Sequence, residues 1–211
     1  MRLRTHLIAM LSLLCLSAPA QTQEGAEQAV AVVEGLHTTL VQIMQDADAL
    51  GYEGRYEIMQ AVVEKHFDNA LIARVVLSRH WETLDSDQRA AFIATLTRLS
   101  IAIYAYRFSG HNGESFQTVQ TKPARRGRVL VQTELLRPDH RPVRLDYLLH
   151  QRDEHWLIIN ITANGVSDLS LRRAEYASVI EENGEENGYN TLMEKLEAKI
   201  HDMETDTAGD E

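Results

Sequence analysis

The residues able to do covalent chemistry are scattered along this chain and form no motif. None of its nine histidines stands four residues from another, so no helix can present the paired imidazoles of an H-E-x-x-H metal site. His150 and His155 flank a tight turn, and each histidine reads as a surface residue. There is no G-x-S-x-G nucleophile elbow and no glycine loop able to cradle phosphate. The acid pairs Asp46/Asp48 and Asp85/Asp87 are two apart and would not share a helix face. Asp85, with Gln88 three residues on, reads as a helix cap. Asp146 and Tyr147 are neighbours in a strand pattern and therefore point to opposite faces, so at most one can enter an interior. No catalytic residue, metal or cofactor is expected. The basic group Lys122, Arg125, Arg126 and Arg128 at a hairpin reads first as a solvated turn, and second as a contact for anionic headgroups or an acidic partner.

The composition sets the frame for those residues. The chain has 211 residues, 44% apolar and 25% charged, with a formal charge of −10. These values exclude a wholly disordered chain, a disulfide scaffold and a general nucleic-acid binder. Arg2 and Arg4, the short apolar run Leu7 to Leu16, and Ala18-Pro19-Ala20 form a secretory signal pattern ending near Ala20. The one cysteine, Cys15, lies inside that run behind Leu14, which does not suit lipoprotein processing. Cleavage would leave 19 basic against 31 acidic residues, a charge of −12, and no thiol. No other run approaches the ~18 apolar residues of a membrane span. The expected division is a signal peptide over 1–20, a single domain over 21–203, and an acidic flexible tail over 204–211.

Helical spacing governs the first half. Val30, Val33, Leu40, Met44 and Ala47 predict an amphipathic helix over 24–50, broken by Gly51 and Gly54. Tyr56, Met59 and Val63 open a second helix, and Phe67, Leu71 and Val75 extend the pattern to about Ser78. The helix capped at Asp85 carries Phe92, Leu96, Leu99 and Ile103 and closes by Gly110. From Ser115 the period becomes two, with strands near 115–122, 129–135, 143–149 and 156–163. In the last, Trp156, Ile158, Asn160 and Thr162 oppose Leu157, Ile159, Ile161 and Ala163. Both faces are apolar, which places this strand inside the sheet. Helical spacing returns with Leu169, Tyr176 and Ile180, is interrupted at Gly184 and Gly188, and restarts at a Thr191/Glu194 capping pattern. The result is an α+β domain with helices packed on a four-stranded antiparallel meander. Trp81, Phe92, Tyr104, Tyr147 and Trp156 fall at apolar phases, and such a shape can hold an apolar pocket.

The order Phe67-Asp68, Val76-Leu77 with Trp81, Gln88 with Phe92, Tyr104, Asp146-Tyr147 and Trp156, then Gly165-Val166-Ser167 with Arg173 and Tyr176, resembles the toluene-tolerance family. These are the periplasmic lipid-binding components of Mla-type transport systems. The stretch Ser167 to Tyr176 looks most like the hopanoid-associated branch. The resemblance implies an NTF2-like fold with a deep apolar pocket, and soluble carriage of a membrane lipid without covalent chemistry. It also implies transient docking to inner- and outer-membrane complexes. Hopanoid or a related polycyclic isoprenoid is the first lipid expected, and phospholipid the second. The residues expected to line or support the pocket are Val131, Leu145, Tyr147, Trp156 and Ile158 from the sheet, and Phe92, Leu96 and Ile103 from the long helix. Arg173 is expected to pair with a carboxylate or strand carbonyl, or to meet a headgroup at the mouth. Two other readings stand beside this one. An NTF2-like isomerase or hydratase would need a buried carboxylate in the cavity, and a bridging adaptor would have an empty, collapsed interior.

Overall fold

Residues 18–208 are described by the computed structural model. In chain order the elements are α1 (Ala18–Gln45), α2 (Ala47–His66), α3 (Asn69–Leu77), a 3-10 turn (Ser78–Thr83) and α4 (Ser86–Arg107). The strands β1 (Ser115–Ala124), β2 (Arg128–Leu136), β3 (Val143–Arg152), β4 (His155–Ala163) and β5 (Val166–Ser167) follow, then α5 (Asp168–Ala208). The α+β class is the one expected. Most of the expected signal, 1–20, lies outside the described residues; 204–208 continue α5, and 209–211 lie outside.

Each helix begins or breaks for a local reason. In α1, Ala29, Val33, Leu36, Leu40 and Ile43 form a fully buried stripe at three- and four-residue spacing. Gly51 takes φ 59° and kinks α2 where the sequence predicted a break. Asp68 caps α3 by accepting from Leu71 N at 3.0 Å. Asp85 and Gln88 make both hydrogen bonds of a capping box, at 2.8 and 3.0 Å. Arg55 is buried and donates through Nε to the Ala105 carbonyl at 2.9 Å, which fixes the last turn of α4 against α2. In α5 the break falls at Gly184, φ 75°, and not at Thr191. Gly188 is helical and buried; a Cβ there would collide with the Ile180 backbone, so its role is close approach and the Thr191/Glu194 pattern caps nothing.

The sheet is an antiparallel meander in the order β1-β2-β3-β4-β5. The fifth strand was not expected. It arises because Asn164 and Gly165 both take positive φ and fold β5 back on β4 through a two-residue turn. In β4 the expected alternation fails at one point. Leu149 pairs with Ile158 but Leu148 pairs with Asn160, so Ile159 is bulged out. Beyond the bulge, Ile161 pairs with Tyr147 and Ala163 with Leu145, and these apolar residues share a face. The outer side of β4 is covered in mid-strand, where Phe67 bridges Ile158 and Asp68 N donates to the Ile158 carbonyl at 3.0 Å. β1 carries its own irregularity between Thr118 and Gln120, and Pro123 near its end.

Two apolar clusters result. One joins α1 and α2 to the sheet through Leu36, Leu40, Met59, Val131, Leu149 and Ile158. The other joins α3, α4 and α5 through Leu77, Phe92, Leu96, Leu99, Leu192 and Ile200. Tyr56 and Ile72 pack against both.

Candidate binding cavity

Near the seam between the clusters lies a cavity of about 380 Å³. Phe116, Leu145, Tyr147, Ile158, Ile161 and Ala163 supply its sheet side. Leu40, Phe67, Ile72, Ile103, Tyr104, Phe108 and Leu169 close it from the helices and their junctions. At the rim, Val166 is 52% and Leu171 59% exposed, unusual for large aliphatic side chains in this fold. Other clefts exist, one of about 410 Å³ beside His80 and Tyr189 among them. None of these has a comparably apolar lining, and this chemistry singles out the cavity at the seam.

The polar groups of the wall are mostly neutralised from behind. His37 is 5% exposed, stacks on Phe116 at 4.1 Å and shares a 3.0 Å hydrogen bond between Nε2 and the Tyr147 hydroxyl. Burial lowers the His37 pKa to about 4 and raises that of Tyr147, so both stay uncharged at neutral pH. The histidine is thus no surface residue, contrary to expectation; it falls on the buried stripe of α1. Asp68, 1% exposed, accepts from Arg152 Nη1 at 2.8 Å, and His150 Nε2 lies 2.8 Å away. This network pins the α2–α3 junction to the end of β3 and so holds the Phe67 ring at the cavity.

One corner of the mouth is charged. Asp168 and Arg172, four apart at the start of α5, pair at 2.8 Å between Oδ2 and Nε. Burial works against the Arg172 charge, but Asp168 and Tyr176 outweigh it and its pKa is raised. Tyr104 is partly buried beside them, and burial, then Asp168, raises the pKa of its hydroxyl. Arg107, at the end of α4, is exposed at the same mouth. Arg173, the expected partner of a carboxylate, is exposed; one residue along a helix is a rotation of about 100°, and the inward arginine is Arg172.

Of the eight residues expected at the pocket, Ile103, Leu145, Tyr147 and Ile158 line it. Val131 is fully buried opposite Tyr147 but outside the lining. Trp156 sits toward the far end of β4, where its ring packs under Gly25. Phe92 and Leu96 do not reach the cavity: they belong to the second cluster, with Phe92 edge-to-face on Tyr176 at 6.2 Å. The physical reason is that α4 is buried along its length, facing α5 first and the cavity only in its last two turns. Phe67, Tyr104, Phe108, Phe116, Ile161 and Arg172 were missed. Only Arg172 had a local signal, its i,i+4 spacing from Asp168. The basic group around Arg125 lies at the β1–β2 turn, at the opposite end of the strands from Val166.

Helices that close over an antiparallel sheet leave here a chiefly apolar cavity with a charged mouth, a shape that suits a binder of hydrophobic molecules. The chain belongs to the MlaC family, whose model, described as MlaC protein, matches residues 34–198. This is a family of periplasmic, non-enzymatic lipid carriers. The fold is similar to that of a phospholipid-binding protein from Ralstonia solanacearum solved in complex with a phospholipid. The match has a TM-score of 0.72 at 16% identity and covers 83% of this chain and 98% of the other. Among curated proteins there is no significant match. No helix among the described residues is long and apolar enough to cross a membrane.

Proposed function

We propose that this protein is exported, with its signal cleaved near Ala20, and shuttles a membrane lipid between membranes without altering it covalently. The observation that carries this reading is the apolar cavity of about 380 Å³, within the ~300–1,000 Å³ range of small-molecule sites, opening at an aliphatic rim. Each buried methylene contributes ~0.8 kcal/mol, so a 16-carbon chain gains at most about 12 kcal/mol, and burial in the cavity replaces most of what the bilayer gives. Transfer is then nearly balanced, and direction must come from docking to membrane complexes. A phospholipid is supported by the fold shared with a protein solved with phospholipid bound. A hopanoid ligand rests only on the resemblance of Ser167 to Tyr176 to that branch.

Native mass spectrometry of the purified mature protein, followed by lipid extraction, tests the proposal. One co-purifying lipid per chain is the expected result. No lipid on the purified protein, and no uptake of supplied phospholipid or hopanoid, would overturn it.

A further inference from the structure

We propose that Asn112, in the segment between α4 and β1, is a site of spontaneous covalent modification. Its side-chain amide condenses with the Gly113 backbone nitrogen and is converted to aspartate and isoaspartate, which loosens one wall of the cavity. The effect on the wall rests on the carrier reading above; the modification itself does not.

Four of the eleven glycines follow an asparagine: Gly113, Gly165, Gly184 and Gly188. Glycine has no Cβ to obstruct its own nitrogen, so Asn-Gly is where this condensation is easiest. The glycine nitrogen gives its proton to solvent base and attacks the asparagine Cγ. The N–Cγ bond forms, the Cγ–Nδ2 bond breaks, and Nδ2 leaves as ammonia. Water then opens the cyclic imide at either carbonyl. One opening gives aspartate, and the other gives isoaspartate, whose main chain runs through Cβ and Cγ. No electron is transferred, and water is the only co-reactant.

The fold decides which of the four reacts, because Cγ must swing onto the next backbone nitrogen. Asn164 is held: its Oδ1 accepts from Arg144 N at 3.0 Å, and its own N donates to the Arg144 carbonyl at 2.9 Å. Asn183 is turned back, with Nδ2 donating to the Val179 carbonyl at 2.8 Å. Asn187 precedes Gly188, which is helical and packed against the Ile180 backbone. Asn112 has none of these restraints. It is exposed in the irregular segment between Arg107 and Ser115. Its side chain meets no hydrogen-bond partner among the described residues, and neither does the Gly113 N–H.

The surroundings make the change consequential. His111 Nε2 donates to the Glu114 carbonyl at 3.0 Å, and the Glu114 carboxylate accepts from Asn112 N. That second bond is the largest cause of the lowered Glu114 pKa, so an anion already stands here. A carboxylate at position 112 sets a like charge beside it. Isoaspartate also lengthens the main chain next to Gly113, where even a Cβ would stand 3.0 Å from the Pro138 ring. This segment links Phe108 to Phe116, and both rings line the cavity.

The test is peptide mapping of the mature protein kept in mildly alkaline buffer at physiological temperature, with the same incubation in urea as the unfolded control. Acid at each asparagine is read from the amide-to-acid mass gain, and isoaspartate from labelling by an isoaspartate-specific methyltransferase. In the folded protein Asn112 is expected to convert at least about tenfold faster than Asn164, Asn183 or Asn187, as a mixture of both products. In urea the four rates should come within about threefold of one another. No conversion at Asn112, a faster rate at any of the other three, or the same ratios in urea as in the folded protein would overturn the site. Lipid per chain is measured on the same samples. Incubated wild type should keep at most about half the lipid kept by Asn112→Gln incubated alongside. Equal retention overturns the effect on the wall and leaves the modification standing. Fresh protein that holds and takes up no lipid overturns the carrier reading, and the mapping still decides the modification.

Discussion

His37 shows how one buried side chain ties stability to pH. Its folded pKa of about 4 lies below the 6.5 of an exposed imidazole because burial penalises the charged form. Between these values the unfolded chain binds a proton that the folded chain does not. The stability is therefore present above pH 6.5 and is lost as pH falls toward 4, by up to ~3 kcal/mol. His37→Phe keeps a ring against Phe116 and should flatten the fall in unfolding free energy between pH 6.5 and 4 by close to one proton; urea titrations across that range would show it, and an unaltered slope would refute the assignment. The residue scale is also where the sequence was hardest to read. His37 stands four residues after Val33 and one after Leu36, on the stripe that the helix buries, yet a histidine's type suggests the surface. Arg172 and Arg173 are distinguished only by helical phase, which adjacent identical residues do not reveal.

Caps and turns were legible because both partners are close in sequence. The Asp85/Gln88 box is one case, and the kink at Gly51 is another. The bulge at Ile159 was not, since it is defined by pairing with β3, and in the unbroken apolar run Trp156 to Ile159 the residue types do not mark where the inward face changes. The glycines of α5 make the same point. Gly184 and Gly188 look alike in sequence, but the first needs a positive φ and the second needs an absent side chain against Ile180. Gly188→Ala should therefore destabilise the fold by ~1–3 kcal/mol through overpacking. Gly35→Ala, on the exposed side of α1 with open space around it, should stabilise by ~0.5–1 kcal/mol. Thermal melts of the two variants should shift in opposite directions; shifts of the same sign would show that Gly188 is not a close-approach position.

At the scale of the molecule, two apolar clusters flank one cavity, and periodicity cannot separate lining from core because both are apolar at the same phase. Substitution can. Phe92→Ala, in the second cluster, should lose ~3–5 kcal/mol of stability while lipid per folded molecule is unchanged. Leu145→Trp, on the half-buried cavity wall, should cut co-purifying lipid by more than about half with a melting temperature within a few degrees of wild type. Comparable losses of both properties in both variants would mean that the cavity is ordinary core. The cover over β4 has a further consequence. A carrier whose rim exposes Val166 and Leu171 is a candidate for self-association, and an open strand beside such a patch would let copies add to one another as fibrils. Among the described residues, the sheet edge beside this patch is covered or short, and the other edge, β1, is irregular. Phe67 and Asp68 occupy the side of β4, β5 is two residues long, and β1 is interrupted after Thr118 and carries Lys122 and Pro123. The architecture that keeps an apolar mouth open to solvent thus withholds from neighbouring copies a backbone ladder beside that mouth.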